Sequence, residues 1–141
     1  MSFTRGGERK RKEFLWRLDA TSETVIIENE KGRKLTYTVG EVREILLALH
    51  RRFRADFFPL ANNVERLGNG TERPGLGTTM LDLLGHNVTK AQGASYLGAV
   101  LEEIGFFTWN DRNWGIEWRL VDTDLSRAAV TAKLARRPGD S

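Results

Sequence analysis

The sequence predicts an α+β fold in a single domain of 141 residues. Three observations carry that reading. Apolar and polar residues alternate with a period of two in 14–39 and again in 106–121. Between these stretches, apolar residues recur at helical spacing in 42–53 and 94–104. The composition, 40% hydrophobic and 29% charged, suits a chain that folds around a core.

Residues 1–12 lack apolar periodicity and read as a flexible basic arm. Phe14, Trp16 and Leu18 alternate with Leu15 and Arg17, which predicts a strand. Val25, Ile26 and Ile27 form a β-branched run. Leu35, Tyr37 and Val39 then alternate with Thr36 and Thr38. The intervening ENEKGR offers Gly32 for a turn, so 13–39 reads as an N-terminal hairpin region.

Thr38 and Glu41 have the spacing of a capping box. Val42, Ile45, Leu46, Leu49 and Phe53 follow on one face, predicting a helix near 40–54. Phe57-Phe58-Pro59 ends it, because the residue before proline avoids helical backbone. A short helix is expected in 60–67, and then a Gly-rich insertion, GNGTERPGLG, over 68–77. Thr79 and Asp82 predict the cap of a short helix over 80–84. After the turn Gly85-His86-Asn87, Thr89 and Gln92 repeat the capping-box spacing. A second long helix is expected over 89–104, closed by Gly105.

Two strands, 106–110 and 114–121, should form a hairpin around Asn110-Asp111-Arg112-Asn113. Trp109 and Trp114 flank that loop. Such a pair either braces the hairpin across its strands or, exposed, forms a protein-binding hot spot. Residues 125–141 read as a basic C-terminal tail, with an Ala-rich helix over 125–137 and fraying from Pro138.

The formal charge is +3 and the isoelectric point about 9.5. The excess sits at the ends: 1–12 carries +4, 126–141 carries +3, and 13–125 carries −4. Basic ends are either solvated tails or arms that neutralise phosphates. There is no cysteine, which excludes disulfide scaffolds, zinc ribbons and thiol catalysis. No long apolar run predicts a membrane span. The N-terminus has no apolar core of a secretory signal, so the expected location is cytoplasmic.

The order from residue 40 onward is long helix, loop, short helix, turn, long helix and two-stranded hairpin. With the stretch TTMLDLLGHNVTKAQGASYLGAVLEEIGFFTWNDRNWGIEWRLV, it resembles the winged helix-turn-helix superfamily. The likeness spans about 40–122, and the N-terminal hairpin is additional to it. It implies a winged helix-like DNA-binding protein, most simply a transcriptional regulator. Helix 89–104 would then be the recognition helix and the 106–121 hairpin the wing.

A recognition helix needs long polar side chains near its start, where they reach base edges. Lys90, Gln92, Ser95 and Tyr96 are the candidates there. Arg112 and Asn113 would serve at the tip of the wing, against a minor groove or a phosphate. In the Gly-rich insertion, Arg73, Thr78 and Thr79 are candidate phosphate contacts. The insertion lacks a Gly-Lys-Ser/Thr sequence, so a nucleotide-binding loop is not expected. The alternative is a winged-helix protein-interaction module inside a larger assembly, with a protein partner or, as a homodimer, a second copy of the chain as its ligand. It would use the Trp-rich hairpin with Phe57 and Phe58.

Enzyme chemistry is not expected. His50 and His86 have no partner at ligand spacing, and no G-x-S-x-G occurs. Neighbouring Glu102 and Glu103 point to different sides of a helix. No cofactor and no metal are predicted.

Overall fold

The computed structural model describes residues 1–6 and 11–136. The fold is α+β, as the two periodicities predict. A four-stranded antiparallel meander runs β1 (Ser2–Phe3), β2 (Glu13–Asp19), β3 (Thr24–Asn29) and β4 (Lys34–Thr38), in that spatial order. Alternation puts Phe14, Trp16, Val25, Ile27 and Tyr37 on one buried face. Leu15, Arg17 and Thr36 stand on the exposed face.

The N-terminal arm is the first correction. Ser2 pairs with Phe14 and Phe3 with Glu13, which makes β1 the edge of the meander. Ser2 and Thr4 are buried, and the Lys12 backbone N–H donates to Thr4 Oγ1 at 2.8 Å. Two paired residues carry no readable period, and the charges around them suggested solvent. The rest of the expected arm, 7–10, lies outside the described residues.

Helix α1 (Val39–Phe53) begins on the capping box that its sequence announces. Thr38 Oγ1 accepts from the Glu41 backbone at 3.0 Å, and the Glu41 carboxylate accepts from the Thr38 backbone at 2.9 Å. Strand β5 (Phe58–Pro59) follows, then α2 (Val64–Asn69).

The Gly-rich insertion is shorter than expected, because α3 (Leu76–Leu83) already starts inside it. Gly75 and Gly77 serve close packing rather than a loose loop. A Cβ on Gly77 would lie 2.0 Å from the Ala61 carbonyl oxygen, and one on Gly75 2.3 Å from that of Pro59. Thr79 therefore falls within the helix and is not its cap.

The helix expected over 89–104 is broken in two, α4 (Val88–Gln92) and α5 (Ala94–Glu103). Tyr37 of β4 causes the break. Its hydroxyl donates to the Lys90 carbonyl at 2.7 Å, and a Cβ on Gly93 would sit 2.2 Å from the Tyr37 hydroxyl oxygen. The cap of α4 is Asn87, whose side chain accepts from the Lys90 N–H, in place of Thr89.

Strands β6 (Phe107–Trp109) and β7 (Glu117–Leu120) form the predicted hairpin with shorter arms. With β5 they make a three-stranded sheet in the order β5-β7-β6. Trp109 pairs across with Trp118, not with Trp114. Asn110 folds the intervening loop, donating from Nδ2 to the Gly115 carbonyl at 3.0 Å and accepting from the Arg112 N–H at 3.3 Å. Trp114 is left 79% exposed.

The C-terminal segment is the last correction to the domain plan. Helix α6 (Arg127–Ala135) packs on α1 and β2, with Val130 and Leu134 buried. The Arg43 guanidinium donates to the Leu125 carbonyl at 2.8 Å. An apolar stripe on an otherwise basic helix was enough to draw it into the core. Residues 137–141 lie outside the described residues. Among the described residues no helix is long and apolar enough to cross a membrane.

Candidate functional site

Helix α5 is enclosed on the side where a recognition helix would be open. The meander covers it: Phe14 meets Tyr96 edge-on at 5.3 Å, and Trp16 Nε1 donates to Glu103 at 2.9 Å. Arg5 reaches Glu102 with two hydrogen bonds, its Nε at 3.0 Å. Every residue from Tyr96 to Leu101 is buried. No face of α5 is free to enter a major groove.

What remains open is a groove of about 1060 Å³ beside the α4–α5 junction. One wall is the β3–β4 turn, residues 29–34. The other is formed by 60–62, Arg73 and the loop 113–116. Gln92, Ser95 and Tyr96 lie between them. The turn is stiff, because Asn29 Oδ1 accepts from the N–H groups of Lys31 and Arg33, both at 2.9 Å, and Gly32 takes φ 80°. It therefore presents Lys31, Arg33 and Lys34 outward in fixed order.

The groove is strongly one-signed. Among the described residues, Arg5, Lys12, Lys31, Arg33, Lys34 and Arg73 line it against a single carboxylate, Glu30. Apart from Arg5, these cations form no ion pair among the described residues. The five cations other than Arg5 focus a positive potential on whatever enters. Tyr96 faces Glu30 at 3.5 Å, and burial, with that carboxylate next, pushes the phenol above its ordinary range.

The expected site residues divide sharply. Gln92, Ser95, Asn113 and Arg73 do come together at the groove. Tyr96 lines it but is held in the core, 8% exposed. Lys90 points elsewhere, 3.6 Å from Glu41 and over the Tyr37 ring. Arg112 is exposed on the loop but does not line the groove. Thr79 is buried and its hydroxyl donates to the Gly75 carbonyl at 2.7 Å, so it cannot meet a phosphate. Thr78 is likewise occupied, bonding both the N–H and the carbonyl of Gly75.

The hot-spot residues divide as well. Phe58 is fully buried between Phe53 and Phe107, whereas Phe57 is 42% exposed with Arg119 over its ring. Trp109 is covered by the Arg5 guanidinium at 3.8 Å.

Sequence reasoning missed Lys31, Arg33 and Lys34, whereas Lys12 belongs to the basic arm already considered as a phosphate contact. The signal was present in KGRK at a hairpin turn, but it was averaged into a middle stretch of net −4. Among the described residues no three of His, Asp and Glu converge to hold a metal ion. The chain matches no protein-family model, no curated protein and no solved structure.

Proposed function

We propose that this chain is a nucleic-acid-binding protein whose binding surface is the basic groove between the 29–34 turn and the 113–116 loop. The observation that carries this reading is the groove's charge: among the described residues, six basic side chains, five of them without an ion pair, face one carboxylate. Phosphates entering it would displace counterions, the dominant source of affinity in such complexes. Gln92, Ser95 and Asn113 add hydrogen-bonding groups that suit bases or sugars.

The second half of the chain is, on this reading, a winged helix-like unit. Its support is the order α1, β5, α2, α3, α4–α5, β6, β7, in which α2 is an addition to the winged-helix pattern, together with the sheet order β5-β7-β6. The meander is an added layer that covers the recognition helix and supplies the basic turn in its place. Regulation of transcription is the role we assign to such a protein.

The test is an anisotropy titration of labelled oligonucleotides at two salt concentrations. Wild type should bind well below about 10⁻⁴ M at physiological salt, and Lys31→Glu with Arg33→Glu should abolish that binding. Equal binding by the charge-reversed protein would end the proposal.

The second reading, a protein-interaction module, is favoured by exposed Phe57. It borders a shallow hollow with Ala55, Asp56, Thr108 and Arg119, away from the basic groove. A partner held there would be released by Phe57→Ala and be indifferent to the groove charges.

A further inference from the structure

We infer that the groove takes a single-stranded polynucleotide, with Trp114 as the platform on which a base stacks. This inference rests on the nucleic-acid reading of the same groove and names its ligand.

A duplex is read by a convex element that fills its major groove. Here α5, the helix in the recognition position, is buried under β1 and β2, and the polar residues at its junction with α4, Gln92 and Ser95, lie inside the groove. A concave slot flanked by cations fits a flexible strand, whose backbone follows the basic wall while its bases turn inward.

Trp114 supplies the second half of that design. It lines the groove and is 79% exposed, although tryptophan is among the most buried residues on average. No aromatic or cation–π partner covers its ring among the described residues. The loop beneath it is pinned by Asn110, and Trp109 Nε1 donates to the Arg112 carbonyl at 3.1 Å. An indole held open on an anchored loop beside unpaired cations has the two parts of a strand-binding site, a stacking face and a phosphate track.

The experiment uses the full chain and three labelled probes of equal length: oligo-dT, oligo-rU and a mixed-sequence DNA duplex. Both single strands should bind at least about tenfold more tightly than the duplex. Trp114→Ala should weaken single-strand binding by roughly 5- to 150-fold, the value of one lost stacking contact, and Trp114→Tyr should restore most of it. Duplex binding should change little. Because Trp114 packs against almost nothing, circular dichroism should be the same for all three proteins. A preference for dT over rU, or the reverse, assigns the source of the strand and supports the inference either way.

Tighter duplex binding, or Trp114→Ala without effect on either single strand, overturns the single-strand inference. If Lys31→Glu with Arg33→Glu still abolishes duplex binding in that case, the nucleic-acid reading survives. Failure of all three probes to bind removes both.

Discussion

Gly98 of α5 lies directly beneath the six-membered ring of Trp118 on β7. A Cβ there would be 2.5 Å from Cη2 and 2.7 Å from Cζ3. The ring cannot yield, because Trp118 is fully buried and its Nε1 donates to Glu102 Oε1 at 3.0 Å, one turn further along the same helix. Gly98→Ala should therefore destabilise the fold. Overpacking costs about 1–3 kcal/mol and better helix propensity returns about 1 kcal/mol, leaving a net loss of up to about 2 kcal/mol. Urea denaturation measures it, and an unchanged midpoint would show that the ring moves freely.

Glu102 serves two donors at once, Trp118 Nε1 and the Arg5 guanidinium. Glu102→Ala leaves a buried indole N–H without an acceptor and should cost about 2–3 kcal/mol. Arg5→Ala removes a partly exposed pair and a stack on Trp109, and should cost about 1 kcal/mol. The order of the two thermal midpoints checks this, and equal losses would mean that the Trp118 bond contributes nothing.

Tyr37 makes stability sensitive to alkaline pH. Burial, with Glu41 adding to it, pushes its phenol well above the ordinary value near 10. The neutral form is the one the fold requires, since it donates to the Lys90 carbonyl. The contribution is thus fully present below about pH 10 and is lost as pH rises from there toward the folded value. Tyr96 shifts in the same direction. Denaturation midpoints should fall above pH 10 in the wild type and fall less steeply in Tyr37→Phe. That variant should already have lost about 1 kcal/mol at neutral pH.

Salt dependence separates the groove cations from the other basic residues. Replacing both Lys31 and Arg33 by alanine should reduce the slope of log K against log salt by about 1.4–1.8. Lys90→Ala, whose ammonium is engaged with Glu41 outside the groove, should leave the slope unchanged. Titrations at several potassium chloride concentrations measure both. A Lys90 effect equal to that of the pair would place the phosphates elsewhere.

The parts of the fold that were legible in the sequence are those set by neighbouring residues. Thr38 and Glu41 mark the start of α1 within one turn, and alternation from Leu35 to Tyr37 marks β4. The parts that were not legible depend on distant contacts. The break at Gly93 is imposed by Tyr37, and the tight start of α3 by the backbone of 59–61. The strand at Ser2–Phe3 is too short to carry a pattern and exists because Phe14 and Glu13 pair with it.

The site divides along the same line. Gln92, Ser95, Asn113 and Arg73 were found because their residue types suit contact with nucleic acid. Thr79 and Tyr96 have the same chemistry but are consumed by the fold, which only the packing reveals. The cations of the 29–34 turn were hidden by averaging, since a local cluster of charge does not register in the sum over a long stretch.

The way the meander closes over α5 has a consequence for the chain as it leaves the ribosome. Strands β2 to β4 emerge before the helices and can pair with one another at once, through short turns. On their inner face, Phe14, Trp16 and Tyr37 meet their partners Tyr96, Glu103 and Lys90 only when α4 and α5 appear, more than fifty residues later. For that interval the nascent sheet displays an apolar surface to the surrounding medium. Contacts of long sequence separation complete the fold, Arg5 to Glu102 across 97 positions and β2 to α6. Such closure is slow in folding and leaves intermediates open to association. Birth of this protein in the cell is therefore a stage at which a holding chaperone would find a well-defined hydrophobic target.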